Sequence, residues 1–257
     1  MKKFWEPQER ESLLWTGNTL PDYGDIYDTT FLIISGTTCA GKSSIEKELI
    51  RTGMFFTVRK TSTRNEKLEE IHGVIPFEKI GFKEWFNLED EPRLETVNVV
   101  GAKPPYEEWQ YWGRKLGVSP PTVEELSVEL EQLIASFLLC NILKDVSIAK
   151  SLGKMPIIGL FPQDAAAWKR YFPRSIVVSL DSNPIITKER IKAKWGLESA
   201  IARARLLDAV SAPKVLVHQG EIVLSTDNIK LMDSNLGKIL CHLATCRGGL
   251  PPGGGSL

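Results

Sequence analysis

The feature that most constrains the fold is the segment Phe31–Ser44, which reads FLIISGTTCAGKSS. An apolar, β-branched run leads into a loop bracketed by glycines, and a helical pattern follows from Gly41 through about Arg51. The loop fits the spacing G-x-x-x-x-G-K-S/T without a gap. A loop between a buried strand and a helix can turn its backbone N–H groups toward a phosphate and add the positive end of the helix. The segment therefore predicts a phosphate-binding loop.

Two side chains of this loop suit defined tasks. Lys42 can reach the outer phosphates of a nucleotide, and the Ser43 hydroxyl suits a Mg²⁺ ligand. The residues predicted to bind the nucleotide are Gly36, Thr37, Thr38, Cys39, Ala40, Gly41, Lys42, Ser43 and Ser44.

Further apolar runs alternate with helical patterns, which favours an α/β fold with a largely parallel sheet. Thr122 and Glu125 have capping-box spacing, and together with the apolar residues that follow they predict one helix to about residue 147. A pair of helices is expected around Gly196. The other predicted strands cover 54–58, 155–161, 175–180 and 221–225, and further helices cover 163–172 and 229–246.

The composition is that of an ordinary globular protein. Of 257 residues, 42% are hydrophobic, and 32 basic residues balance 32 acidic ones, so a duplex nucleic acid partner is not implied. No apolar leader follows the first two lysines, and the apolar run at 134–143 is too short to span a bilayer. The four cysteines, Cys39, Cys140, Cys241 and Cys246, show only a weak C-x4-C spacing near the end and are interpreted as free thiols. We therefore expect a cytoplasmic protein.

A second motif follows the second predicted strand. The segment TSTRNEKLEEIHGVIPF, with RLE at 93–95 and YWG at 111–113, resembles guanylate kinase in combination with the phosphate loop. The segment ERIKAKWGLESAIARARLLDA resembles the lid and the following helix of that family. The resemblance spans about residues 30–245 and leaves 1–29 as an N-terminal extension and 246–257 as a flexible tail.

The resemblance implies a P-loop (Walker A) kinase of the three-layer α/β type, with a small acceptor-binding domain, a helical lid, and ATP and Mg²⁺ as cofactors. The acceptor segment would cover about 59–113, the extra helical stretch 120–150 and the lid 185–205. Phosphoryl transfer needs cations around the transferred group more than it needs a strong base. The implied catalytic residues are Lys42, Arg190, Lys194 and Arg205, and the implied acceptor-binding residues are Lys60, Arg64, Lys67, Glu95, Trp112 and Arg114.

The chain departs from the family pattern mainly on the acceptor side. Pro76 stands where the family has a phosphate-contacting Tyr, and Phe161 stands where it has an Asp, with only Asp164 nearby. Lys67 replaces a second Arg and offers a point charge without a fork. Lys60 and Arg114 stand where the family has residues without positive charge, so together with Arg64 and Lys67 they predict a more positive acceptor pocket. We therefore expect GMP to be a poor substrate, and the acceptor to carry more phosphate than a mononucleotide or to be a different phosphorylated small molecule or a protein surface.

Two alternatives remain open at this stage. The phosphate loop also resembles that of small-molecule antibiotic kinases, which would make the acceptor a non-nucleotide hydroxyl on a small molecule or a protein. Guanylate kinase-like domains also serve as protein-interaction modules, here with residual nucleotide binding. The tryptophans Trp85, Trp109 and Trp112 fit either the core of the small domain or a stacking surface for a base.

Overall fold

Five short apolar segments form the larger sheet of the computed structural model, which describes residues 28–62, 77–80, 93–97, 106–128, 134–212 and 220–246. Every neighbouring pair in this sheet is parallel. Its central strand is buried along its whole length, as expected of a parallel sheet that is covered on both faces. Numbered along the chain, the strands are β1 (Leu32–Gly36), β2 (Phe55–Thr57), β7 (Met155–Leu160), β8 (Ile176–Asp181) and β9 (Ile222–Ser225).

Helices cover both faces of this sheet, whose strand order is β2-β7-β1-β8-β9. Leu32 and Ile34 of β1 belong to one buried cluster and Ile33 to another, because successive strand residues point to opposite faces. The first cluster includes residues of α1 (Lys42–Arg51) and α8 (Met232–Thr245), and the second includes residues of α4 (Leu139–Ser151) and α5 (Pro162–Tyr171). The predicted three-layer α/β class with a mainly parallel sheet is therefore confirmed.

A smaller sheet contains four strands, which are β3 (Lys60–Ser62), β4 (Phe77–Lys79), β5 (Arg93–Val97) and β6 (Ile134–Leu138). Their order in the sheet is β4-β3-β6-β5. Strand β6 is antiparallel to both of its neighbours, β3 and β5.

The prediction of one helix from Thr122 to about residue 147 is wrong, because strand β6 lies within this stretch. The stretch instead contains α3 (Val123–Val128), then β6, then α4. A short apolar run fits a buried helix and a strand equally well by periodicity, and here hydrogen bonds from strands on both sides select the strand. The capping box itself is confirmed: the Thr122 N–H donates to Glu125 Oε2 at 2.7 Å, and the Glu125 N–H donates to Thr122 Oγ1 at 3.2 Å.

A further helical layer contains α2 (Tyr106–Leu116), α3, α6 (Pro184–Trp195) and α7 (Ala200–Ser211). The fully buried Trp109 of α2 packs with Leu126 of α3 and with Ala204 and Leu207 of α7. The predicted helix pair around Gly196 is confirmed, and that glycine has a φ of 72° between α6 and α7. Among the described residues, no helix is both long and apolar enough to cross a membrane.

Candidate active site

The predicted phosphate loop joins β1 to α1, as the sequence motif requires. Cys39 has a φ of 59° and Gly41 a φ of 94°, and both values lie in the left-handed region. Gly41 adopts this conformation without steric cost, whereas Cys39 does so at a cost of roughly 1–2 kcal/mol. This backbone conformation bends the loop into the turn that opens α1, where N–H groups at the helix start favour an anion.

The Lys42 ammonium lies across this loop. Its Nζ donates to the carbonyl oxygens of Gly36 at 2.6 Å and of Thr37 at 2.8 Å. It also lies 4.6 Å from the centroid of the Phe161 ring, at the end of β7. The ammonium is therefore already beside the loop, as the motif predicts. A phosphate bound in the loop would compete with the two carbonyls for it.

The topology of the sheet places the loop where open α/β sheets bind ligands. The connection after β1 leads toward β2 on one side, and the connection after β8 leads toward β9 on the other. The carboxyl ends of β1 and β8 therefore border the crevice where the strand order reverses, which is the usual ligand site of such sheets.

Arg190, one of the predicted lid cations, contacts the phosphate loop. From α6, its guanidinium donates to the Cys39 carbonyl at 3.2 Å and to the Thr226 carbonyl just after β9. It also lies 3.4 Å from Ser182 Oγ, which is long for a hydrogen bond. Arg190 therefore joins three connections at the carboxyl edge of the sheet.

Lys194 of α6 and Arg205 of α7 both lie close to the ring of Trp195. Lys194 Nζ is 4.8 Å and the Arg205 guanidinium carbon is 4.9 Å from the centroid of the Trp195 ring. Trp195 and Cys39 pack against the same buried cluster, which includes Ile191 and Leu206. The two cations thus belong to a helical unit that packs on the phosphate loop, and their role in catalysis stays a prediction.

A polar row crosses the small sheet at paired positions. Glu95 pairs with Ser136, Ser136 with Thr61, and Thr61 with Glu78. The fully buried Thr61 donates to Glu78 Oε2 at 2.9 Å, and Asn141 Nδ2 donates to the same oxygen at 2.9 Å. The sequence pointed to Glu95 but missed the other members, because Glu78 falls just after the motif and Asn141 comes from a distant helix.

The remaining predicted acceptor residues fall in different places. Lys60 is half-buried in β3, next to Thr61, whereas Arg64 and Lys67 lie outside the described residues. Trp112 is partly buried on α2 and packs against the Trp109 cluster, which favours the core interpretation for these two tryptophans.

Arg114 is exposed on α2 and helps to line a groove of about 370 Å³. Gly113, at the third position of YWG, approaches the turn after α2 closely: a Cβ there would lie 2.5 Å from the Val118 carbonyl oxygen. The YWG segment is therefore part of a packed helix, and the close approach of the Val118 carbonyl leaves no room for a side chain at position 113.

A partly buried ion pair lies at the connection between the two sheets. Asp145 of α4 accepts a hydrogen bond from the Arg59 N–H at 2.7 Å, and its other oxygen lies 3.8 Å from the Arg59 guanidinium. Burial raises the pKa of the Asp145 carboxyl, although the Arg59 N–H and guanidinium oppose the shift. Arg59 comes directly before Lys60, so this contact anchors the start of the small sheet.

Two candidate oxygen ligands for Mg²⁺ come from the first turns of α1 and α5. Ser43, half-buried in the first turn of α1, offers a hydroxyl, and Asp164, half-buried in the first turn of α5, is the nearest carboxylate in sequence to the end of β7. Phe161 offers no ligand at that strand end. This set fits an ion that keeps several waters and is held mainly by nucleotide phosphates, which is how Mg²⁺ commonly binds.

Comparison with known proteins yields a distant structural likeness. No protein-family model matches the chain, and no curated protein does. Among solved structures, a guanylate kinase from Anaplasma phagocytophilum is similar over 86% of this chain and 89% of its own, with 10% identity and a TM-score of 0.40. A likeness at this level says nothing about substrate or activity, which have to be argued from the site itself.

Proposed function

We propose that this protein is an ATP-dependent phosphotransferase of guanylate kinase type, with an altered acceptor site. The observation that carries the proposal is the loop between β1 and α1: its backbone is bent at Cys39 and Gly41, and the Lys42 ammonium lies across it. A protein-interaction module would have no need for this cationic loop at the crevice of the sheet.

The loop would bind the phosphates of Mg·ATP through its N–H groups, with Lys42 on the outer phosphates and Ser43 on the ion. The bound Mg²⁺ would neutralise charge on the phosphate oxygens. An acceptor oxygen would attack the terminal phosphorus, the bond from that phosphorus to the bridging oxygen would break, and ADP would leave. Such a reaction depends on in-line positioning and on cations around the transferred group.

The acceptor would lie over the small sheet, on the side of the polar row. Glu78, Thr61 and Asn141 form a connected set of donors and acceptors, and a site of this kind discriminates strongly between ligands that do and do not match its polar groups. We therefore place the acceptor among nucleoside monophosphates and related phosphorylated molecules, and we expect GMP itself to be a poor substrate.

The first test is Mg·ATP binding by calorimetry, followed by a screen of ATP consumption with mononucleotides and phosphorylated metabolites. Lys42→Ala should weaken binding or lower turnover by on the order of 10²-fold or more, because it removes the charge that faces the outer phosphates. Lys47→Ala is the matched control, since Lys47 is a partly exposed lysine of the same helix, and it should behave like the parent.

Kinetics with GMP distinguish an altered acceptor site from that of an ordinary guanylate kinase. If Pro76 and Phe161 cost about 1–3 kcal/mol each in lost polar contacts, kcat/KM falls by roughly 10²–10⁴-fold. A value near 10⁶ M⁻¹s⁻¹, which is about what efficient enzymes reach, would identify an ordinary guanylate kinase instead. ATP binding without turnover of any acceptor would favour the interaction module.

A further inference from the structure

We propose a zinc-binding site formed by Glu221, His242 and Cys246, at the end of the sheet opposite the phosphate loop. One ligand atom from each residue lies within 4.8 Å of the other two. Glu221 directly precedes β9, and His242 and Cys246 lie at the carboxyl end of α8. Because the strands are parallel, the start of β9 is at the amino edge of the sheet, whereas the phosphate loop follows a carboxyl edge.

The helix geometry explains why the cluster forms. His242 and Cys246 are four residues apart at the end of α8, which places them on one face. This face packs toward Glu221, whose Oε2 lies 3.3 Å from His242 Nε2. Two elements that are distant in sequence thus bring three different ligand types to one point.

Imidazole, thiolate and carboxylate together are a ligand set that suits zinc. With bonds of about 2.0–2.3 Å, the ligand atoms of a tetrahedral site lie roughly 3.3–3.8 Å apart. The observed spacing of up to 4.8 Å exceeds the required spacing by at most about 1–1.5 Å, a distance that side-chain rotation covers. Three protein ligands leave a fourth position for water.

The two oxygens of the Glu221 carboxylate have different partners at this cluster. Lys169 Nζ contacts Oε1 at 2.7 Å, so Oε2 is the oxygen that faces His242. The carbonyl end of α8 also favours positive charge.

The site is accessible to a metal ion from solvent. The side chains of His242 and Glu221 are 30% and 34% exposed, and Cys246 is a half-buried free thiol. Binding of Zn²⁺ would release the thiol proton of Cys246 to solvent and leave a neutral His242 as the nitrogen ligand. The ion would then join the start of the edge strand to the end of the last helix, far from the phosphate loop.

The test uses the full chain, freed of metal and titrated with Zn²⁺ against a competing chelator, and then with Co²⁺. We expect one Zn²⁺ per chain at this site and a rise in Tm of about 5–10 °C when free Zn²⁺ exceeds Kd by 100-fold. Co²⁺ should give a thiolate charge-transfer band together with the intense visible bands of four-coordinate cobalt.

Cys246→Ser and His242→Ala should each abolish the cobalt charge-transfer band or weaken zinc binding at least tenfold. Cys241→Ser is the matched control, because Cys241 is an exposed cysteine on the same helix outside the cluster, and it should keep both signals. Thermal unfolding without metal checks that each variant is folded. A parent chain that binds no Zn²⁺, or folded Cys246→Ser and His242→Ala variants that bind it as the parent does, would overturn the proposal.

Discussion

Replacing Arg190 with Ala tests whether this residue stabilises the phosphate loop even without nucleotide. Its guanidinium is half-buried between the Cys39 carbonyl, at 3.2 Å, and the Thr226 carbonyl. If Arg190 acted only as a lid cation during catalysis, its removal would leave the nucleotide-free protein as stable as the parent. If it is a structural clamp, the nucleotide-free protein should unfold more easily.

The expected loss of stability follows from these two contacts. A hydrogen bond from a charged donor contributes about 1.5–3 kcal/mol when buried, and partial exposure reduces each contact to about 1 kcal/mol. Arg190→Ala should therefore lower the free energy of unfolding by about 2 kcal/mol, or the Tm by about 4–8 °C for a chain of this size. Without the Arg190 contact, the Cys39 backbone should leave its left-handed conformation more easily. The loop would then be less well ordered, which should also weaken nucleotide binding.

Thermal unfolding of the nucleotide-free protein and calorimetry with Mg·ATP measure the two effects. Lys194→Ala is the control on the same helix, since its exposed side chain contacts only the Trp195 ring among the contacts described, and its effect should stay within about 0.5 kcal/mol. Arg190→Lys should recover part of the loss, because one ammonium can reach one carbonyl. An unchanged Tm for Arg190→Ala together with a lower kcat would refute the clamp and support a purely catalytic role.

Three other substitutions test the acceptor side and its supports. Gly113→Ala should lower the Tm by several degrees, because its Cβ would lie 2.5 Å from the Val118 carbonyl oxygen; thermal unfolding measures this, and an unchanged Tm would contradict the close approach. Asp145→Asn should flatten the pH dependence of unfolding: burial raises the pKa of Asp145, so the folded protein holds that proton more tightly, and stability falls as pH rises through the raised pKa. Denaturant unfolding over a pH series checks this, with the Arg59 N–H still paired to the amide oxygen; the same slope in the variant and the parent would count against it. Asn141→Ala should raise KM for the acceptor at least several-fold and leave Mg·ATP affinity unchanged, and an effect on ATP alone would place the acceptor elsewhere.

The sequence predicts the large sheet and the strand–loop–helix unit of β1 and α1 well, because local signals and tertiary contacts agree there. The runs that form β1 and β7 are apolar and are buried on both faces of the sheet. They can therefore be identified as strands without deciding from an alternating pattern which residues face the core. The loop motif depends on backbone conformation, and its glycines and its place between strand and helix specify that conformation. The helix pair around Gly196 is likewise marked by its own glycine.

The small sheet is harder to predict because its strands depend on distant partners. Strand β6 reads equally well as part of an amphipathic helix, and only its pairing with β3 and β5 decides its state. The contacts of Asn141 with Thr61 and Glu78 join residues separated by 80 and 63 positions, and no local pattern signals them. The same holds for Trp109, whose partners lie on two later helices.

The packing of Trp109 has a consequence for how these helices can move relative to the large sheet. Separating α2 and α3 from α7 would expose both Trp109 and Leu126, at a cost of about 3–6 kcal/mol. The Lys188 ammonium, which donates to the Leu116 carbonyl at 2.6 Å, further ties α6 to the end of α2. In any motion that breaks the Arg190 contacts with the phosphate loop, these four helices should therefore move as one rigid body. Dyes placed on α2 and α7 should then keep a constant separation while either dye moves relative to β1.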